Sequence, residues 1–203
     1  MGETVRGDAH DRGRDTRSRL RELALQLFAE QGYEKTSLRE IAERLGVTKA
    51  ALYYYFKSKE DIVASLVEDY MAELDELIAW GKDQPRTAAT RAEIVRRYLH
   101  IVANGAAVFR MLHQNQAAVS SLASAKERGE LFRERLDALT ELLTEPGGPL
   151  RDQVRAASCL VSVSFGWMHF QDRAASPAEL EKAVLDVALE LADAAPAEAA
   201  SSA

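Results

Sequence analysis

The 203-residue sequence holds one cysteine, five prolines and eleven glycines, and its first proline is Pro85. A lone Cys159 excludes an intramolecular disulfide framework and a cysteine zinc site. An all-β fold, with a turn every ~8–12 residues, would need more turn-forming residues than these. No run of ~18 apolar residues occurs, so nothing is expected to span a membrane. The N-terminus lacks the apolar segment of a signal peptide. A glycine-rich phosphate loop, G-x-G-x-x-G, H-E-x-x-H and G-x-S-x-G are all missing, so no catalytic constellation is read and no enzyme is expected. Against these absences stand 47 % hydrophobic residues, enough for a sizeable core. The expectation is a cytoplasmic, mostly helical protein without cofactor or metal.

Charge is unevenly placed. The formal net charge is −6. Residues 1–60 carry 12 basic and 10 acidic side chains, a balance of +2, and residues 61–203 carry 14 and 22, a balance of −8. Between Lys35 and Glu60 there are six basic and three acidic residues. A local basic excess on an acidic chain suggests a polyanion site confined to one end, although such a difference also suits a solvated face.

Periodicity predicts helices throughout. Residues 1–15 are polar with mixed charge and read as a disordered arm. From Thr16, the spacing of Leu20, Leu23, Ala24, Leu27 and Phe28 predicts an amphipathic helix ended by Gly32. Ser37 and Glu40 form a capping box for a short helix that Gly46 stops. Thr48 caps a third helix to Phe56, and Ser58 with Asp61 starts a long fourth. A break at Gly81–Pro85 follows. Helices are then expected over about Thr87–Asn104 and, after Gly105, over Val108–Gln114. A seam of Leu122, Ala125, Gly129, Phe132, Leu136, Leu139 and Leu143 predicts a packed helix, with Gly129 as an interior point of close crossing. After the Pro146–Pro149 loop come helices over 150–172 and 177–194, the latter with Ser176, Pro177 and Glu179 in N-terminal register. The tail from 195 reads as disordered. The domain reading is an arm (1–15), a DNA-binding domain (16–60), a ligand-binding and dimerisation domain (61–194) and a tail (195–203).

Two short helices separated by Gly46-Val47, with Ala42 between them, fit a helix-turn-helix. In such a unit the first helix crosses the phosphate backbone and holds the second in the major groove. Only Leu52 and Phe56 of the second helix need to face the core. That leaves Lys49, Ala50, Tyr53 and Tyr54 at exposed or rim positions, with Tyr55 a further candidate for the rim. Tyrosine rings suit thymine methyls and phosphate oxygens. Lys59, opening the next helix, is in position for a phosphate. A hairpin whose tyrosines pack on a neighbouring domain fits the same pattern.

The stretch from Thr16 to about Glu68 resembles the DNA-binding domain of the TetR family of bacterial transcriptional regulators. The resemblance rests on Leu27-Phe28, Gly32-Tyr33, Thr36 to Ala42, Leu45-Gly46-Val47, Leu52 to Phe56 and Lys59-Glu60. It implies an all-α protein of about nine helices, a homodimer, and operator binding relieved by a small ligand. By the same resemblance Ser37, Arg39, Thr48, Lys49, Tyr53, Tyr54 and Lys59 are the expected DNA contacts. Arg39 and Lys49 stand where family members often touch bases, and Tyr53, Tyr54 and Lys59 where they often touch phosphates.

Ala156–Gln171 carries no formal charge apart from His169. A helix apolar on nearly every side must be buried on nearly every side, by its own bundle or by a partner subunit. The acidic outer helices favour the partner, as does the family habit of dimerising through the last two long helices. The expected interface is therefore 150–172 with 177–194. Tyr98, Phe109, Met111, Leu112, His113, Trp167 and His169 are the candidates for lining a small-molecule site, although each alone also suits the core. His113 and His169 with Cys159 lack close metal-ligand spacing. The functional reading is a sequence-specific DNA-binding regulator, a repressor released from a palindromic operator by a small lipophilic ligand. The alternatives are a TetR-like DNA binder controlled by a protein partner or by no ligand, and a helical interaction module.

Overall fold

The computed structural model describes residues 5–114, 125–173 and 176–193. Among them are eight helices and no strand: α1 (Val5–Gln31), α2 (Leu38–Leu45), α3 (Lys49–Tyr55), α4 (Lys59–Lys82), α5 (Ala88–Gln114), α6 (Ala125–Leu143), α7 (Leu150–Phe170) and α8 (Pro177–Asp193). The all-α class is as expected. Two of the helix-start signals are used as read. Ser176 Oγ accepts the Glu179 N–H at 3.1 Å and Ser58 Oγ accepts the Asp61 N–H at 3.1 Å.

Three local expectations are corrected. The first helix starts at Val5, so residues 5–15 are helix and not a disordered arm. The arginines there are good helix formers, and Asp15 with Arg19 makes an i,i+4 pair. The expected interruption at Gly105 is absent, since α5 runs unbroken from Ala88 to Gln114. A single interior glycine costs a helix only ~1 kcal/mol, which packing offsets. Gly129 is exposed, and a Cβ there would meet nothing within 4 Å. The close approaches occur elsewhere. A Cβ on Gly81 would come 2.8 Å from Leu142 Cδ1, and one on Gly166 would come 3.1 Å from Val184 Cγ2. Leu122 and the expected 195–203 tail lie outside the described residues.

The chain divides into two compact units. The described residues of the first are 5–69 and 107–114, and those of the second are 70–106, 125–173 and 176–193. Residue 60, the expected end of the DNA-binding domain, falls inside the first. Helices α4 and α5 each contribute residues to both units.

The first unit is built on Leu20, Ala24, Leu27 and Phe28 of α1, Ile41 and Ala42 of α2, Leu52 and Phe56 around α3, Ile62 and Val63 of α4, and Met111 of α5. Leu20, Ala24, Leu27, Ile41, Leu52 and Ile62 have no exposed surface at all. A fully buried aliphatic side chain contributes ~1.5–3 kcal/mol, so these residues fix the hairpin geometry. The second unit buries Leu74, Val95, Tyr98, Leu139, Cys159, Leu160, Val163 and Ala188. Burial pushes the Cys159 thiol up to about 12, and its Sγ donates to the Ala188 carbonyl at 3.2 Å.

Helix α7 departs from the expectation of burial on nearly every side. Ala156, Cys159, Leu160 and Val163 are buried. Leu150, Val154, Val161, Phe165, Met168 and Phe170 are exposed, and so is Val187 on α8. A single chain covers only one side of this apolar helix.

Candidate nucleic-acid interface

Helix α2 starts at Ser37, whose extended backbone lets Oγ accept the Glu40 N–H at 3.2 Å. The Glu40 carboxylate accepts the Gln31 amide at 2.8 Å and pairs with Arg44. Arg39 is exposed, and its Nε donates to Glu43 at 2.6 Å. Helix α2 ends at Gly46, whose φ of 74° is left-handed. Its N–H reaches the Ala42 and Glu43 carbonyls. A residue with a Cβ would be strained there, so this glycine makes the tight turn between the two helices.

Thr48 caps α3, with Oγ1 accepting the Ala51 N–H at 3.1 Å. Inward, Leu52 is fully buried and Phe56 is 2 % exposed. Outward, Tyr54 is 79 % exposed and Tyr53 36 %. Tyr55 packs partly buried against the core and meets Tyr54 edge-on, with centroids 5.1 Å apart. The Lys49 ammonium lies 5.4 Å from the Tyr53 ring centroid. Lys49, Tyr53 and Tyr54 thus share the exposed rim of α3, and the exposure of Tyr54 argues against a hairpin whose tyrosines are packing residues.

Lys59 sits differently from Lys49. Its Nζ donates to the Tyr33 carbonyl at 2.7 Å and lies 4.3 Å over the Tyr33 ring. An ammonium carries three donors, so this contact uses only part of its capacity. The Tyr33 hydroxyl donates to Glu60 at 2.7 Å. Burial, followed by that carboxylate, raises the Tyr33 phenol far above its ordinary range. The same hydrogen bond holds the Glu60 carboxyl below its ordinary value. Together these contacts tie the start of α4 to the α1–α2 loop.

Two basic residues were not singled out from sequence. Lys57 is exposed, and its Nζ donates to the Tyr53 carbonyl at 2.9 Å, at the C-terminal end of α3. Its N–H donates to Asp61 at 2.9 Å. A cation at a helix C-terminus, just before the Ser58 cap, was the available signal. Arg17 of α1 places its guanidinium 5.4 Å from the Phe56 ring centroid.

The described candidates for a small-molecule site are divided between the two units. Tyr98 is fully buried in the second unit, its hydroxyl 2.7 Å from Ser164 Oγ, and burial pushes its phenol up to about 12. Met111 belongs to the first unit's core. Trp167 is half-buried on α7. His169 is exposed, stacked on Phe165 with centroids 5.1 Å apart and edge-on to Phe170 at 4.9 Å. The side chains of Phe109, Leu112 and His113 lie outside the described residues. A separate open cavity of about 490 Å³ lies along α7 and α8, lined by Phe165, Gly166, Phe170, Leu180, Val184 and Val187 among others. No group of three or more metal-binding side chains occurs among the described residues, and none of their helices is long and apolar enough to cross a membrane.

Residues 20–66 match the family model for bacterial regulatory proteins of the tetR family. The chain is 41 % identical over 63 residues to the HTH-type transcriptional regulator AcrR of Shigella flexneri, covering 31 % of this chain and 29 % of that one. It is 28 % identical over 123 residues to the fatty acid metabolism regulator protein of Bacillus subtilis, covering 60 % and 63 %. It is 32 % identical over 133 residues to the HTH-type transcriptional repressor KstR2 of Rhodococcus jostii, covering 64 % and 58 %. The matches therefore span between about a third and two thirds of these relatives' lengths. Among solved structures, a TerR/AcrR-family regulator from Aquifex aeolicus superposes with a TM-score of 0.67 at 20 % identity, covering 85 % of this chain and 96 % of that one. AibR in complex with isovaleryl coenzyme A and operator DNA superposes with a TM-score of 0.61 at 20 % identity, covering 85 % and 97 %. At that identity the likeness speaks for the fold alone.

Proposed function

We propose that the chain, whose residues 20–66 match the model for bacterial regulatory proteins of the tetR family, is a sequence-specific transcriptional regulator, a repressor that leaves a palindromic operator when a small lipophilic ligand binds. The observation that carries this reading is the α3 rim. Lys49, Tyr53 and Tyr54 stand outward on a helix whose inner face, Leu52 and Phe56, is almost wholly buried. Such a helix is presented rigidly, and its first turn is where a helix entering the major groove meets base edges. Lys49 reads a base edge. Tyr53, Tyr54, Ser37 and Thr48 contact sugar and phosphate, which position the helix. Arg39 reaches a base after exchanging its contact with Glu43. Lys59 gives a phosphate the donor capacity left by its bond to Tyr33.

The exposed apolar stripe of α7 with Val187 of α8 is covered by a second copy of the chain in this reading. Two copies around a two-fold axis place two α3 helices on one duplex, and the operator then shares that symmetry. An uncovered stripe of this size would otherwise favour aggregation.

A ligand acts by preferring the DNA-incompetent state. A hundredfold preference is worth ~2.7 kcal/mol per site, against a specific-over-nonspecific gap of ~4–10 kcal/mol. The name of one relative, a fatty acid metabolism regulator, favours an acyl-type ligand.

The test is selection of duplexes from a random pool by the purified chain, followed by anisotropy titration of the selected and scrambled sequences. Enrichment of a two-fold symmetric sequence whose preference relaxes in Lys49→Ala is expected. No enrichment, with equal weak binding to all duplexes, would overturn the reading. Fatty acids and short acyl-coenzyme A thioesters, added to the bound complex, test the ligand step. Release by none of them removes the acyl assignment.

A further inference from the structure

Helix α2 carries four charged side chains, Arg39, Glu40, Glu43 and Arg44, and they form two pairs of different kinds. Arg44 pairs with Glu40 of its own helix and with Glu30 of α1, and Glu40 also accepts the Gln31 amide. That set ties α2 to α1. Arg39 and Glu43 form the other pair, with Nε donating to the carboxylate at 2.6 Å, and both residues are exposed. Among the described residues, the Glu43 side chain makes no hydrogen bond or ion pair other than this one.

A carboxylate at this place works against DNA binding, because it repels phosphates. Between Leu38 and Tyr55 the acidic residues are Glu40 and Glu43 alone, and only Glu43 is not engaged with α1. An exposed pair one turn apart stabilises a helix only slightly, so support of α2 is a small gain from it. Its larger effect falls on Arg39. A guanidinium that is free takes any phosphate within reach, and phosphates are the same in every sequence. The Glu43 carboxylate is a competitor on the same chain, always one turn away from Arg39. Arg39 leaves it fully only where a base edge offers paired acceptors, as the O6 and N7 of guanine do, and where a seated α3 holds the two together.

We propose that Glu43 is a specificity-determining residue that acts through Arg39, withholding the guanidinium from the phosphates of a non-matching duplex and yielding it to a base edge on a matching one. This rests on the DNA-binding reading given above, with Arg39 as a base contact. Glu43 itself touches no base. It lowers affinity for every duplex, and more so for the wrong ones.

The experiment compares the full chain with Glu43→Gln, Arg39→Gln and the double variant, on the selected duplex and its scrambled counterpart, from ~0.05 to ~0.4 M salt. Glutamine keeps the shape of glutamate and a high helix propensity, and circular dichroism with thermal melting verifies folding. On the scrambled duplex, Glu43→Gln frees Arg39 for one phosphate. The slope of log affinity against log salt should steepen by ~0.9, which is about eightfold tighter binding at ~0.1 M salt. On the selected duplex the gain should be only about twofold, the worth of the exposed pair that no longer has to open. Preference for the selected duplex therefore falls about fourfold. In the Arg39→Gln background the same change should add less than half of that slope and leave the preference unaltered. Equal slopes for wild type and Glu43→Gln on the scrambled duplex, with at most a lower melting temperature, would make the pair a helix support and overturn the proposal. So would equal gains in both backgrounds, the mark of net charge alone. Weaker binding of the selected duplex by Glu43→Gln would mean that the carboxylate steadies Arg39 on its base, and would also overturn it. These three outcomes leave the α3 reading intact, whereas a wild-type chain with no preference for any duplex brings both readings down.

Discussion

The helix-turn-helix region and the α7–α8 pair solve opposite problems. Around α2 and α3 a continuous core of Leu20, Leu27, Ile41, Leu52 and Ile62 is sealed from water, and the outward residues are polar or amphipathic. Along α7 and α8 the inner face is just as well buried at Cys159, Leu160, Val163 and Ala188. Yet Val161 remains 59 % exposed and Phe165 61 %. The first surface offers charge, hydroxyls and rings to a polar ligand. The second offers an apolar stripe that only another apolar surface satisfies. Burial alone does not separate them, because both are rigidly backed. The chemistry of what is left outside separates them.

The largest effect should come from breaking the backing of the first surface. Leu52→Ala removes a side chain with no exposure, the one α3 residue at the centre of that core. A loss of ~2–5 kcal/mol of stability is expected for such a truncation. Denaturant unfolding checks it through a lower midpoint at unchanged slope. Tyr54→Ala, on the same helix but 79 % exposed, should change stability by less than ~0.5 kcal/mol while weakening duplex binding. A Leu52→Ala variant as stable as the parent would mean that α3 is not held by this core.

Next in size is the apolar stripe. Phe165→Glu places a charge at the middle of the face proposed to meet a second copy. The dimer is expected to weaken at least a hundredfold, equivalent to ~2.7 kcal/mol, because a buried unpaired charge is strongly unfavourable. Sedimentation at micromolar concentration reads this as a shift from dimer to monomer. A wild-type chain that sediments as a 22.4 kDa monomer and still prefers a symmetric duplex would break the comparison outright.

The two surfaces were unequally legible in the sequence. The hairpin is written in local signals: Ser37, Gly46 and Thr48 each fix a backbone angle or cap an orphan N–H, and each acts within four residues of itself. Those signals survive without tertiary context. The start of α1 did not, because mixed charge and three glycines outweigh the arginines when residues 1–15 are read by composition. Gly105 misled for the same reason, since a glycine stops a helix only where packing does not carry the helix through. The close approaches at Gly81 and Gly166 depend on Leu142 and Val184, which lie far along the chain. The role of Lys59 was half legible. Its place at a helix start was visible, whereas its bond to the Tyr33 carbonyl needs the α1–α2 loop folded.

That difference between the lysines supplies the third test. Lys49→Ala should cost ~1–3 kcal/mol at one base pair per half-site with little change in melting temperature. Lys59→Ala should lower the salt slope on every duplex by about one contact and also loosen the α1–α2 loop. Hydrogen exchange at residues 33–37 reads the loosening. If Lys59→Ala leaves both the slope and the exchange unchanged, neither the phosphate nor the Tyr33 contact matters in solution.

The smallest effect concerns the Tyr33–Glu60 bond that supports the same loop. The hydrogen bond from the Tyr33 hydroxyl is the main cause holding the Glu60 carboxyl below its ordinary value. A carboxyl depressed in the folded state adds stability that is fully present above its unfolded value. That stability is lost as pH falls through the folded value. Wild-type stability should therefore fall with acidification from just above the ordinary glutamate range downward. Tyr33→Phe removes the donor, so Glu60 titrates closer to its unfolded value and that part of the acid dependence flattens. Glu60 is largely solvated, and water screens such a contact to less than ~1 kcal/mol. The two proteins should differ most near neutral pH and converge in acid. The readout is the difference in denaturant midpoint between pH 7 and pH 3. A gap that stays constant over that range would mean that the hydroxyl does not act through the Glu60 carboxylate, and no gap at any pH would assign the role of Tyr33 to its buried ring, which packs 5.0 Å from Phe28.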